Sequence, residues 1–175
     1  MDNKLDLSTK RAIYLQILCV NRPFNTASAK WSDIDLENKI WTIPANQMKT
    51  KSAHEITLSS YALKILKEQH MFKIIDSPFV FPALNANGHL HRDTISKAIR
   101  NLGGRNKYSG IATSHGFRAT FRTICSKNKA ELLKLGITDE VIESVLAHKE
   151  SNKVKYAYER EKATIEQKAK LMQWY

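Results

Sequence analysis

At 175 residues the chain is long enough to bury one full core and too short to hide a second large domain. Its 28 Lys and Arg against 17 Asp and Glu leave a net charge of +11, which points to a polyanionic partner, nucleic acid before a membrane surface. No stretch approaches the roughly 20 apolar residues of a membrane span. The first residues, Met1 to Asp6, lack the apolar core of a signal peptide, so a soluble, cytoplasmic protein is expected.

In chain order, Ser8 is expected to cap a helix running through Cys19, with Ala12, Leu15, Leu18 and Cys19 on its apolar face. Asn21-Arg22-Pro23 ends it and leaves Arg22 just past a helix end, beside the core. A short helix around Thr26–Lys30 and a turn over Trp31–Asp35 follow. Ile40–Ile43 and Glu55–Leu58 read as strands, and the polar connection from Pro44 to His54 carries Lys49 and Lys51 on an arm. Ser59 or Ser60 opens a helix through about His70, followed by a short buried run, Phe79–Pro82. His89-x-His91 lies in a loop rich in Asn and Gly with no acidic or cysteine companion at ligand spacing, so no metal site is expected. Asp93 begins a helix through Leu102, which Gly103-Gly104 stops; the Walker spacing and a preceding strand are both missing, so no nucleotide loop is indicated.

The stretch Thr113–Thr123 concentrates groups suited to an anion. With Thr113 or Ser114 as N-cap, His115 and Arg118 fall at i and i+3 on one face of a first helical turn, where unpaired amides and the helix dipole favour negative charge. Lys127–Lys134 is polar. Thr138 then caps a helix through Ile142, Val145 and Leu146 to His148, with Asp139 and Glu140 suiting its dipole. A basic turn, Lys149–Lys153, leads to a short helix carrying Tyr156 and Tyr158, and Lys162–Tyr175 reads as an amphipathic helix with Ile165, Ala169, Leu171, Met172 and Trp174. Cys19 and Cys125 sit in apolar helical patterns without C-x-x-C spacing and are expected to be buried thiols.

Taken together, Asn21-Arg22-Pro23, Met48-Lys49-Thr50-Lys51, His115-Gly116-Phe117-Arg118-Ala119-Thr120, Leu146-Ala147-His148-Lys149 and Ala157-Tyr158-x-Arg160 resemble, in order and spacing, the catalytic domain of the tyrosine recombinases, the lambda-type phage integrases. The resemblance covers nearly the whole chain, and Leu-Ala-His-Lys-Glu and Leu-Met-Gln-Trp look most like integrases of prophages and genomic islands. It implies an α+β fold, mainly helical, with a small antiparallel sheet at one edge. Residues 1–175 would form one catalytic domain, with the family's N-terminal DNA-clamping and arm-binding domains absent. Implied partners are double-stranded DNA and further protomers, four in the family's synapse, in a bacterial, nucleoid-associated setting, with no membrane involvement.

The implied catalytic set is Arg22, Lys49, His115, Arg118, His148 and the nucleophile Tyr158. Tyr158 is preferred over Tyr156 because its interval after His148 and the Ala157-Tyr158-x-Arg160 context match the family motif. A phenol of pKa near 10 is roughly 0.1% ionised at neutral pH, so its attack costs about 4 kcal/mol unless the proton leaves as attack proceeds. Arg22 and Arg118 would hold the nonbridging oxygens. His115 would act as acid or base, His148 would donate to the phosphate, and Lys49 would protonate the departing 5′ oxygen. With this much fixed positive charge neither a metal nor another cofactor is required, and a 3′-phosphotyrosyl link would conserve the bond energy for rejoining. One departure is Asn25, where the family usually has an acid supporting the first arginine. The alternatives are a type IB topoisomerase-like nicking and closing enzyme and a non-catalytic DNA-binding remnant.

Overall fold

In the computed structural model, which describes residues 5–48, 50–147 and 163–175, helix α1 (Leu7–Cys19) begins earlier than the sequence suggests. Its cap is Asp6, not Ser8: Asp6 Oδ1 accepts a hydrogen bond from the Thr9 amide at 2.8 Å, and a carboxylate there also suits the helix dipole. The helix ends at Val20, held in the left-handed region at φ 43°. Helix α2 (Pro23–Ala27) starts three residues before the expected Thr26, because Pro23 fits the first helical position and Arg22 becomes the N-cap.

Strands β1 (Ile34–Asp35), β2 (Ile40–Ile43) and β3 (His54–Thr57) form an antiparallel sheet in the order β1-β2-β3, with Trp41 opposite Ile56. β1 was expected as part of a turn, and β3 begins one residue before the expected Glu55. Trp41, Ile43 and Ile56 face inward against Ala12, Leu15 and Cys19 of α1 and Leu66 of α3 (Ser60–His70). Helix α4 (Thr94–Arg100), shorter than expected at both ends, closes this cluster with Ile95 and Ile99.

A second cluster joins α5 (Gly116–Lys127), α6 (Lys129–Lys134), α7 (Asp139–Val145) and α8 (Ile165–Trp174) around Phe121, Leu132, Val141, Leu146 and Leu171. Val20 belongs to this second cluster, so the end of α1 reaches from one core into the other. The polar stretch Lys127–Lys134 is mostly helix, a correction to the sequence reading, with Leu132 supplying its buried contact. Both cysteines are buried thiols, and burial pushes Cys125 up to about 11. The architecture is the expected one, mainly helical with a small sheet at one edge. No helix among the described residues is long and apolar enough to cross a membrane.

Helix α8 docks on its own chain. A capping box between Thr164 and Gln167 starts it, Gln173 bonds Ser60 through both its amide atoms, Trp174 Nε1 donates to Glu131 at 2.8 Å, and Tyr175 meets Phe121 edge-on at 4.8 Å. Leu171 is 0% exposed, whereas Ile165, expected on the apolar face, is 46% exposed. Leu171→Ala should therefore cost about 3 kcal/mol in urea unfolding and Ile165→Ala under about 0.5. Equal costs would mean that α8 does not dock as described.

Candidate active site

Three of the six expected catalytic residues lie among the described residues, and the fold brings them to one place. Arg22 is held by its backbone: its carbonyl accepts from the Asn25 amide at 2.9 Å as α2 begins. Just before it, the buried Asn21 accepts the Thr26 hydroxyl at 2.7 Å, which fixes the corner between α1 and α2. His115 and Arg118 come from the start of α5, His115 at its N-cap and Arg118 one turn in. Thr113 does the capping, its hydroxyl oxygen accepting from the Gly116 amide at 3.1 Å while His115 makes no side-chain cap bond.

That amide arrangement corrects one expectation. The Gly116 and Arg118 N–H groups are already engaged, by Thr113 and by the His115 carbonyl. These two amides are therefore not free for an anion.

Arg118 is only 7% exposed, and its guanidinium bridges two helix ends. Nη1 donates to the Val20 carbonyl at 2.7 Å and Nη2 donates to the Leu146 carbonyl. Burial, then the neighbouring charge of Arg22, lower its pKa to about 10, and Glu143 partly offsets them. The charge of Arg22 is close enough to be felt at Arg118. Like charges gathered in this way are unfavourable without an anion between them, the usual mark of a site for an anionic ligand. Arg22 and His115 also line a cavity of about 280 Å³ with Pro23, Phe24, Arg92, Asp93, Ser96 and Ser114.

The sequence reading missed His54. It placed this residue at the end of a polar connection, whereas His54 opens β3 and hydrogen-bonds the Val145 carbonyl through Nε2 at 3.1 Å. The Val145 and Leu146 carbonyls at the end of α7 thus hold the sheet and Arg118 side by side. Burial, then Lys168 of α8, push the imidazole down to about 4; the Val145 carbonyl opposes this, and Arg118 and Arg22 add to it. The only local sequence signal was alternation, His54 and Ile56 falling on one strand face. Asn25 is also close by, 2% exposed, with its side-chain amide nitrogen lacking a partner among the described residues.

Lys49, His148 and Tyr158 lie outside the described residues, as do Tyr156 and the turn Lys149–Lys153. His89 and His91 hold no metal-like cluster among the described residues: His89 packs against Phe79, and His91 pairs with Asp93 at 3.6 Å, an acidic neighbour the sequence reading had discounted.

Comparison with known proteins agrees with this arrangement. The model of the phage integrase family matches residues 1–164. The prophage integrase IntA of Escherichia coli K12 is 32% identical over 98% of this chain and 38% of its own length. The integrase of Enterobacteria phage P4 is 26% identical over 95% of this chain and 39% of its own. The chain thus spans about two fifths of the length of these relatives. Among solved structures, an integrase from mycobacterium phage Brujita superposes with a TM-score of 0.66, at 19% identity, over 97% of this chain and 52% of that one.

The His54 geometry has a consequence in acid. Below about pH 6.5 the unfolded chain takes up a proton that the folded imidazole refuses until about pH 4, so stability falls as pH drops through that window. The loss from this group should be about 2 kcal/mol between about pH 7 and about pH 4.5. Urea unfolding of the wild type and His54→Asn at both pH values measures it: the wild type should lose about 2 kcal/mol more than the variant. Equal losses would show that His54 titrates normally.

Proposed function

The chain belongs to the phage integrase family, and on that premise we propose that it performs site-specific DNA recombination by tyrosine attack on a backbone phosphodiester. The observation that carries this reading is two arginines whose charges act on one another, Arg118 buried and braced and Arg22 lining a cavity with His115. A phosphodiester gathers negative charge on its nonbridging oxygens as it is attacked. Two planar forks already in place stabilise that charge without having to reorganise, a contribution of roughly 10²–10³-fold for each donor.

In this mechanism Tyr158 is the nucleophile, losing its proton as its oxygen bonds to phosphorus, with His115 as acid or base beside it. His148 donates a hydrogen bond to the phosphate. Lys49, carried between β2 and β3, protonates the 5′ oxygen as its bond to phosphorus breaks. The product is a 3′-phosphotyrosyl link and a free 5′ hydroxyl. Attack by a 5′ hydroxyl of another strand reverses the step and rejoins DNA. The partners are double-stranded DNA and further protomers that bring two sites together.

A nicked suicide duplex carrying the attachment site tests the assignment. Arg118→Ala should slow covalent adduct formation by at least roughly 10²-fold. Tyr158→Phe should abolish it, Tyr156→Phe should preserve it, and peptide mapping should place the phosphate on Tyr158. An adduct on Tyr156 would overturn the assignment. For Lys49→Ala, replacing the bridging 5′ oxygen by sulfur should restore much of the lost rate, because a thiolate leaves without protonation. A variant equally slow on both substrates would remove Lys49 from the general-acid role.

A further inference from the structure

The cavity beside Arg22 and His115 extends away from Arg118, which does not line it, toward the segment that leads into α4. Four of its lining residues are outside the proposed catalytic set and bear polar groups: Arg92, Asp93, Ser96 and Ser114. We propose that this cavity seats a second DNA backbone phosphate, next to the one under attack, gripped by Arg92 and by the hydroxyl pair of Ser96 and Ser114. The proposal rests on the recombinase reading for the identity of the neighbouring phosphate, though not for the binding itself.

Three features make the cavity an anion seat. First, its charge is positive: two guanidiniums line it with a single carboxylate. Asp93 does not quench Arg92, because their contact runs through Nε at 3.9 Å, longer than a hydrogen bond. Asp93 also faces His91, at 3.6 Å. An ion pair this exposed holds the Arg92 side chain only weakly.

Second, the hydroxyl pair has a proton to spare. Ser96 Oγ and Ser114 Oγ lie 2.7 Å apart, and the Ser114 amide donates to Ser96 Oγ at 3.2 Å. Two hydroxyl hydrogens share one mutual bond, so one remains to be donated. Either hydroxyl can be the donor in that pair and both serines line the cavity, so an acceptor placed there can take the remaining hydrogen.

Third, the position suits a neighbouring phosphate. Arg22, whose charge acts on Arg118, also lines the cavity, so one residue links the two seats. Pro23 and the half-exposed Phe24 supply an apolar wall on which the intervening sugar can rest.

Binding of a short fluorescein-labelled DNA duplex, followed by anisotropy across roughly 50–200 mM salt, tests the seat directly. Arg92→Gln should weaken binding roughly tenfold and lower the salt slope by about 1, the signature of one lost phosphate contact. Arg92→Lys should recover the slope but not the affinity, since it keeps the charge and loses the fork. Ser96→Ala should weaken binding roughly threefold. Arg92 is exposed, so both Arg92 variants should melt at the wild-type temperature. An unchanged slope and affinity in Arg92→Gln would overturn the seat, and so would wild-type binding by Arg92→Lys, which would reduce Arg92 to diffuse charge. A chain that binds DNA in this way yet forms no covalent adduct would instead sink the recombinase reading and leave the seat standing.

Discussion

The site depends on how one buried guanidinium is braced. Taking a full charge out of water costs several kcal/mol unless it is compensated, and the usual compensation, a carboxylate in contact, would also occupy the charge. Arg118 is held instead by the carbonyls of Val20 and Leu146, which terminate α1 and α7. Helix C-termini present unpaired carbonyls and partial negative charge, so they solvate a cation without neutralising it. Arg118 stays charged near neutral pH and free to meet an anion. The cost shows at Val20, a β-branched residue held in the left-handed region where its carbonyl can reach the guanidinium.

Much of this was legible in the sequence where the signal was periodic or chemical. The apolar faces of α1 and α3 and the β2–β3 pair follow from spacing and turn chemistry. Arg22, His115 and Arg118 were legible as a set because their local motifs stand in a familiar order. What escaped was tertiary. Helix α6 was hidden because Lys129, Glu131 and Lys134 outnumber its one fully buried contact, Leu132. The bracing of Arg118 was hidden because its partners are backbone carbonyls, which no side-chain pattern marks. His54 was hidden because its partner lies in α7, far along the chain.

Asn25 shows the limit of reading a substitution from a motif alone. An acid at this position would add negative charge close to the two arginines; the amide adds none, and its nitrogen is buried without a partner among the described residues. The local field is therefore more positive than the family pattern implies. His54 responds by staying neutral: with Lys168, Arg118 and Arg22 all opposing its protonation, it offers the Val145 carbonyl an uncharged ring N–H. A neutral donor here fixes the end of α7 without adding to the repulsion between the arginines.

The small sheet and the last helix then have a common task. Strand β3 holds the end of α7 through His54, and α8 packs along both β3 and α7. Leu146, whose carbonyl braces Arg118, lies just before residues 148–162 in the sequence, and the Thr164 cap of α8 lies just after them. Both flanks are thus anchored in one core cluster, by Leu146 on one side and by Leu171 and Met172 on the other. On the proposed mechanism, a nucleophile carried between two anchored flanks has part of the translational freedom of attack already given up in folding. Among the described residues Arg118 takes its two carbonyl partners from Val20 and Leu146 and none from α8, so its bracing and the anchoring of the far flank rest on different contacts of one core.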